Sequence, residues 1–153
     1  MAIKLERRIG IQAPDEVVWD ILSDLAGWSD WNPIYPKAEG TIRIGDRWTV
    51  ELALPGQKPQ TIHPVILDWA PYDHIHWRLS MMGGLVKTTR FLEIEKMGEE
   101  NLFFSNGEIF DGWLGPSVAK RLRNPILQGF EALNQAMKTR AEALWAERKV
   151  SAK

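Results

Sequence analysis

Glu108 is the titratable residue whose neighbours give it the most chemistry to do. In the run from Asn101 to Gly112, a strand puts Phe104, Asn106, Glu108 and Phe110 on one face and Ser105, Gly107, Ile109 and Asp111 on the other. If the phenylalanine face lines a pocket, Glu108 is a carboxylate in apolar surroundings. Its proton affinity then rises, and it can serve as an acid, a base or a polar anchor. The alternative is a glutamate on a wet face, or one paired with an arginine for structure. His74 and His76 lie two apart on another strand and point the same way, with Asp68 opposite His76 on the neighbouring strand. Two imidazoles and a carboxylate are metal-ligand types. That face looks outward, however, and the expectation is a solvated surface with no metal. His63 falls on the other face, as a polar spot in a pocket or as a satisfied edge histidine.

Other chemistries are excluded by what is missing. The chain has no cysteine, which removes disulfides, thiolate zinc sites and cysteine nucleophiles and fits a reducing compartment. No Gly-x-Ser-x-Gly elbow occurs, and Gly83-Gly84 is followed by no Gly-Lys-Ser/Thr, so neither an esterase-like nucleophile nor a phosphate loop is present. No cofactor is expected. A net charge of −1 gives no field to attract a polyanion, so nucleic acid is not an expected partner.

The elements that position these residues follow from periodicity. Ile3, Leu5, Ile9 and Ile11 alternate with Lys4, Glu6 and Arg8, the pattern of a strand with one wet face. Pro14, Asp15 and Glu16 open a helix that carries Val18, Ile21 and Leu22 on one side and ends near Ala26-Gly27. From residue 36 to 112, turn residues recur at Glu39-Gly40, Gly45-Asp46, Pro55-Gly56, Pro71–Asp73, Gly83-Gly84 and Gly98. This spacing predicts a meander of about five or six strands. A three-residue loop at Pro71–Asp73 aligns His63, Val65, Leu67 and Trp69 with Ile75, Trp77, Leu79 and Met81 on one apolar face. After Gly115-Pro116 the period becomes helical, with Val118, Leu122, Ile126, Phe130, Leu133, Met137 and Leu144 in one stripe. Pro125 removes an internal hydrogen bond and should interrupt this helix near Arg121.

The 153 residues fit one domain, read here as residues 1–148 with a disordered tail at 149–153. Hydrophobic residues make up 44% and charged residues 25%, ordinary globular values. Eight tryptophans against two tyrosines are harder to explain. They form either a tryptophan-rich core or a core that the protein does not wholly fill. The sequence shows no export signal and no membrane-spanning run, so the expected place is the cytoplasm without stable membrane insertion.

Three segments carry a family resemblance: Ile11-Gln-Ala-Pro14-Asp-Glu-Val-Val-Trp19, Trp28-Ser-Asp-Trp31-Asn32-Pro33, and Gly107-Glu108-Ile-Phe110-Asp-Gly112. On these the sequence resembles the superfamily of START domains and the birch-pollen allergen (SRPBCC), specifically its bacterial polyketide cyclase/dehydrase-like branch. The resemblance covers nearly the whole chain. It implies an α+β helix-grip fold: a curved antiparallel sheet of six or seven strands wrapped around a long C-terminal helix, with two short helices between strands 1 and 2. It also implies a deep pocket for lipid-, sterol- or polyketide-like molecules.

The expected function is therefore to hold a hydrophobic or amphipathic small molecule between sheet and helix, as a monomer or homodimer. The expected lining is Trp31, Asn32, Trp48, Trp77, Met81, Phe104, Glu108, Phe110 and Phe130, with Glu108 and Asn32 as polar anchors. Trp31 and Asn32 have bland roles too, as core plug and loop cap. A cyclase, aromatase or dehydratase is the alternative, with Glu108 as its catalytic candidate. Such chemistry wants several convergent polar groups, and here Glu108 has only Arg90 or His63 for company. A protein-interaction or stress-response module is the second alternative. Lys120, Arg121 and Arg123 could steer an anionic head group, or simply form a solvated helix face. The cavity volume separates these readings, since ligand pockets usually exceed about 300 Å³.

Overall fold

The computed structural model describes residues 2–152. The alternating N-terminal segment is strand β1 (Ile3–Ile11). Helix α1 (Asp15–Ser23) follows Pro14 and buries Val17, Val18, Trp19, Ile21 and Leu22, with Asp15 and Glu16 at the positive end of its dipole. A 3-10 helix, Leu25–Asp30, completes the expected pair of short helices, and its Gly27 amide donates to the Asp24 side chain at its start.

The meander divides into two sheets. Strands β2 (Lys37–Glu39), β3 (Thr49–Leu52) and β4 (Gln60–Ile62) form a small antiparallel sheet. Strands β5 (Val65–Ala70), β6 (His74–Met81), β7 (Val86–Gly98) and β8 (Asn101–Asp111) join β1 in a five-stranded antiparallel sheet, in the order β1-β8-β7-β6-β5. The single sheet of six or seven strands expected from the sequence is thus five strands plus three. Pro64 has no N–H to offer a ladder, and Gly45 sits at φ 88°. Pairing there shrinks to an irregular strip, with Gly45 N–H donating to Ile66 O at 2.8 Å and Trp48 N–H to Pro64 O at 2.8 Å.

The hairpin register holds close to its turn and fails beyond it. Trp69 stands opposite Ile75 and Asp68 opposite His76, as a loop at Pro71–Asp73 requires. A bulge at Leu67 then moves the strand over by one face. Ile66, not Val65 or Leu67, lies across from Trp77 and is buried, while Val65 and Leu67 are 37% and 39% exposed. His63, ahead of β5, is exposed outside the apolar face, with its Nδ1 3.4 Å from Thr49 Oγ1.

The C-terminal helix breaks where Pro125 demands it. Helix α2 (Gly115–Arg121) ends at Leu122, whose backbone (φ −102°, ψ 13°) leaves the helical region, and α3 (Arg123–Ser151) begins one residue later. Residues 149–151, assigned to a disordered tail by the sequence reading, continue α3; Lys153 lies outside the described residues. The stripe of α3 buries Ile126, Leu127, Phe130, Leu133, Met137 and Ala141 against the sheet. This is the helix-grip fold. Half of the tryptophans, Trp19, Trp28, Trp48 and Trp77, are buried in the core: Trp48 and Tyr35 both lie 5.4 Å, centroid to centroid, from Trp77, and Trp28 lies 6.0 Å from Trp48. Among the described residues no helix is long and apolar enough to cross a membrane.

Candidate functional site

Strand alternation turns Leu102, Phe104, Asn106, Glu108 and Phe110 of β8 toward α3, and Val86, Thr88, Arg90, Leu92 and Ile94 of β7 beside them. Arg90 and Glu108 stand directly opposite each other in the ladder. Arg90 is fully buried, yet among the described residues no carboxylate lies within ion-pair distance of its guanidinium. Its donors go to neutral acceptors instead. Nε donates to the Tyr35 hydroxyl at 2.8 Å, Nη1 to Phe91 O and Gly107 O at 3.2 and 2.9 Å, and Nη2 to Asn106 Oδ1 at 2.8 Å. The Phe130 ring lies 4.2 Å from the guanidinium and adds a cation–π contact. Asn106 passes the network on to Phe130 O and Asn134 Oδ1 on α3.

Tyr35 reaches this network because of the loop before it. Asn32 Oδ1 accepts from the amides of Ile34 and Tyr35 at 3.2 and 2.9 Å, folding residues 32–35 into a tight turn that sends Tyr35 inward. Burial holds the Tyr35 hydroxyl above its usual pKa against the opposing pull of Arg90, with Glu108 adding to the rise. Since the hydroxyl oxygen accepts from Arg90, its own proton is free for another acceptor. Burial also raises Glu108 against the lowering effects of Arg90 and of the Thr88 hydroxyl beside it, which increases the share of neutral acid. Thr88 Oγ1 is buried nearby with no hydrogen bond of full geometry.

Glu108 and Tyr35 open onto a cavity between the sheet, the β3–β4 hairpin and the α2–α3 junction. Its other walls are Trp77, Leu79, Met81, Phe110 and Phe130, then Leu52, Leu54, Gln60 and Ile62, then Val118, Leu122 and Ile126. The free volume is about 70 Å³. That is room for a few waters and well below the usual ligand-pocket range of roughly 300–1,000 Å³. A larger groove of about 670 Å³ lies on the outside, where α1 and the 3-10 helix meet α3. Charged groups rim it, Asp20 and Arg148 among them, and it lacks an enclosed apolar wall.

Of the nine residues expected at the pocket, Trp77, Met81, Glu108, Phe110 and Phe130 line this cavity. Trp48 and Phe104 do not; both are packed entirely in the core. Asn32 caps the loop, and Trp31 sits half-buried on the outer groove, edge-on to Trp28 at 6.4 Å. Lys120, Arg121 and Arg123 are exposed on the helix surface. Tyr35 is absent from the expected lining because it lies in a loop, where no periodicity marks an inward side chain. Arg90 did leave a signal, as the one charged position among the inward residues from Val86 to Ile94 of β7.

The sequence matches, over residues 2–142, the family described as polyketide cyclase / dehydrase and lipid transport. The chain belongs to that family. Its fold is shared with the Zhui aromatase/cyclase from a Streptomyces species, at TM-score 0.75 and 17% identity over 93% of this chain and 94% of that one. A START superfamily protein from Mycobacterium smegmatis superposes at TM-score 0.70 with 21% identity, covering 92% of this chain and 98% of that one. Norcoclaurine synthase from Thalictrum flavum gives TM-score 0.69 with 16% identity over 97% of both chains. At these identities the likeness shows the fold alone. No curated protein matches the sequence.

Proposed function

We propose that this member of the polyketide cyclase/dehydrase and lipid transport family binds a compact, mostly apolar molecule bearing a carbonyl-type oxygen, in the cavity between sheet and helix. One observation carries the reading. Tyr35 and Glu108 present two polar groups to a cavity whose other walls, Gln60 apart, are apolar, and both favour the protonated, donating form. Polar groups in such a setting favour a ligand that supplies acceptors.

The small free volume sets a condition. Taken alone it suits the filled-core alternative, in which the domain acts through its surface and holds no ligand. Ligand binding requires the β3–β4 hairpin to move outward, and its attachment is light: Leu52 and Leu54 are only half-buried, and residues 55–61 are exposed. Weakly packed elements are the ones that open at low free-energy cost.

The test compares 2-acetylnaphthalene with its hydrocarbon counterpart 2-ethylnaphthalene by fluorescence titration of wild type and Glu108→Leu. The ketone should bind wild type roughly 3–10-fold more tightly than the hydrocarbon, the worth of one net hydrogen bond, and Glu108→Leu should reduce that preference. Absence of binding by both probes, with no small molecule retained in native mass spectra, would support the filled core instead.

An acid–base enzyme is the second reading, supported by Tyr35 and Glu108 at one cavity, with Arg90 hydrogen-bonded to Tyr35 behind its wall. The Zhui protein is named an aromatase/cyclase, and cyclisation or dehydration of a polyketide-like chain would use such donors. Loss of water from a poly-β-keto thioester, followed by mass spectrometry and abolished in Glu108→Leu, distinguishes catalysis from holding.

A further inference from the structure

The outer face of the five-stranded sheet carries a second concentration of titratable groups, on the side away from the cavity. His74 and His76 project from β6 with ring centroids 4.5 Å apart. Asp68 of β5 is the ladder partner of His76, and its carboxylate lies 2.9 Å from His74 Nε2. One donor atom from each of Asp68, His74 and His76 falls within 4.8 Å of the other two. Two further carboxylates stand behind the rings: Asp73 Oδ2 is 2.6 Å from His74 Nδ1, and Glu93 Oε2 is 2.8 Å from His76 Nε2.

We propose that this cluster is a binding site for a divalent cation of the zinc class. The ligands are His74 Nε2, an Asp68 carboxylate oxygen, and the ring nitrogen of His76 that Glu93 leaves free. Three features separate it from an ordinary solvated surface. Imidazoles that bind metals almost always donate their other N–H to a carboxylate or carbonyl, which fixes tautomer and ring orientation. Here both histidines have such a carboxylate, Asp73 for one and Glu93 for the other. The charge is right as well, since three carboxylates surround two imidazoles that are neutral when they ligate. The distances are also within reach. Bonds of about 2.1 Å in a tetrahedron put ligand atoms roughly 3.4 Å apart, against a separation of at most 4.8 Å among one donor atom from each of the three side chains.

Two nitrogens and one oxygen select zinc, nickel or copper over calcium or magnesium, which prefer all-oxygen cages. Three protein ligands leave a fourth position open to water or an anion. The site joins β5 to β6 just before and after the turn at Pro71–Asp73, so occupancy should also strengthen that hairpin. It is independent of the cavity and of any ligand bound there.

The experiment is calorimetric titration of Zn²⁺ into full-length protein that has been treated with chelator and exchanged into metal-free buffer. Co²⁺ serves as a spectroscopic stand-in, through its visible d–d bands. A single site of micromolar affinity is expected. His74→Ala and His76→Ala should each abolish saturable binding below about 1 mM. Asp73→Ala, which leaves every ligand in place, should weaken it about 10–100-fold. His63→Ala, at an exposed histidine on another part of the surface, should change nothing. Far-ultraviolet circular dichroism without metal confirms that the variants fold. The proposal is overturned if wild type shows no saturable Zn²⁺ binding below about 1 mM. It is equally overturned if His74→Ala and His76→Ala bind as wild type does, or if His63→Ala loses as much as they do.

Discussion

Glu108 and Arg90 face each other across two strands, yet the guanidinium spends its hydrogen bonds on Tyr35, Asn106 and two carbonyls. Glu108 therefore feels an attractive charge without a direct bond, and burial decides its proton affinity. The consequence for stability has a definite sign. The folded pKa is raised above the ordinary value of 4.5, so in the window just above 4.5 the folded protein holds a proton that the unfolded chain has released. Stability contributed by the neutral acid is fully present below that value and is lost as pH rises toward the folded pKa. Glu108→Gln carries no such proton. Urea unfolding at stepped pH from 4 to 8 should show wild type losing stability relative to Glu108→Gln, by about 1.4 kcal/mol for each unit of pKa shift. Parallel profiles would mean that Glu108 is not held in an apolar setting. The residue's inward direction was legible in the sequence, because its neighbours alternate. Its company was not: Tyr35 arrives through a turn made by Asn32, and an Asn-capped loop leaves no periodic trace.

The elements show a similar division. Pro125 predicts the break between α2 and α3, because a missing N–H acts within one helical turn. The bulge at Leu67 was invisible, since it depends on how β5 meets both β6 and the strip at residues 45–48. The same strip splits the expected single sheet and leaves the β3–β4 hairpin as a separate wall. That wall leans on α3 at a glycine. A Cβ added to Gly129 would lie 3.1 Å from Ile34 Cγ2, 3.2 Å from Leu54 Cδ2 and 3.4 Å from Pro55 Cδ, so the hairpin approaches the helix as closely as a bare backbone allows. Gly129→Ala should therefore do two things at once. Helix propensity adds about 1 kcal/mol, and the crowding removes a comparable amount by pushing Leu54 and Pro55 outward. Global stability is expected to change little, while amides of residues 52–62 exchange faster with deuterium. Unchanged exchange in that segment would show that the hairpin is not the movable wall.

At the scale of the whole molecule, the grip of sheet on helix was readable because two periods, 2.0 and 3.6, leave only one way to bury both apolar faces. How much space remains between them was not readable. It depends on side-chain volumes summed over some fourteen walls, and of the two readings of the tryptophan excess the filled core is the one found, with Trp28 edge-on to Trp48, Trp77 edge-on to Tyr35, and Trp28 tilted against Tyr35. A protein whose binding-competent state is the minor one binds with an affinity reduced by that state's population. Loosening the hairpin should accordingly tighten binding, even though it adds no contact to the ligand. Gly129→Ala is then expected to bind 2-acetylnaphthalene more tightly than wild type. A ligand present at roughly 100-fold above its Kd should stabilise either protein by about 2.7 kcal/mol, or about 5–11 °C in Tm for a domain of this size. At one fixed ligand concentration between the two Kd values, the Tm rise should be larger for Gly129→Ala than for wild type. Thermal unfolding followed by circular dichroism gives both values. An equal or smaller rise in the variant would mean that the cavity takes its ligand without moving the hairpin, and a free volume of about 70 Å³ would then limit that ligand to a few heavy atoms.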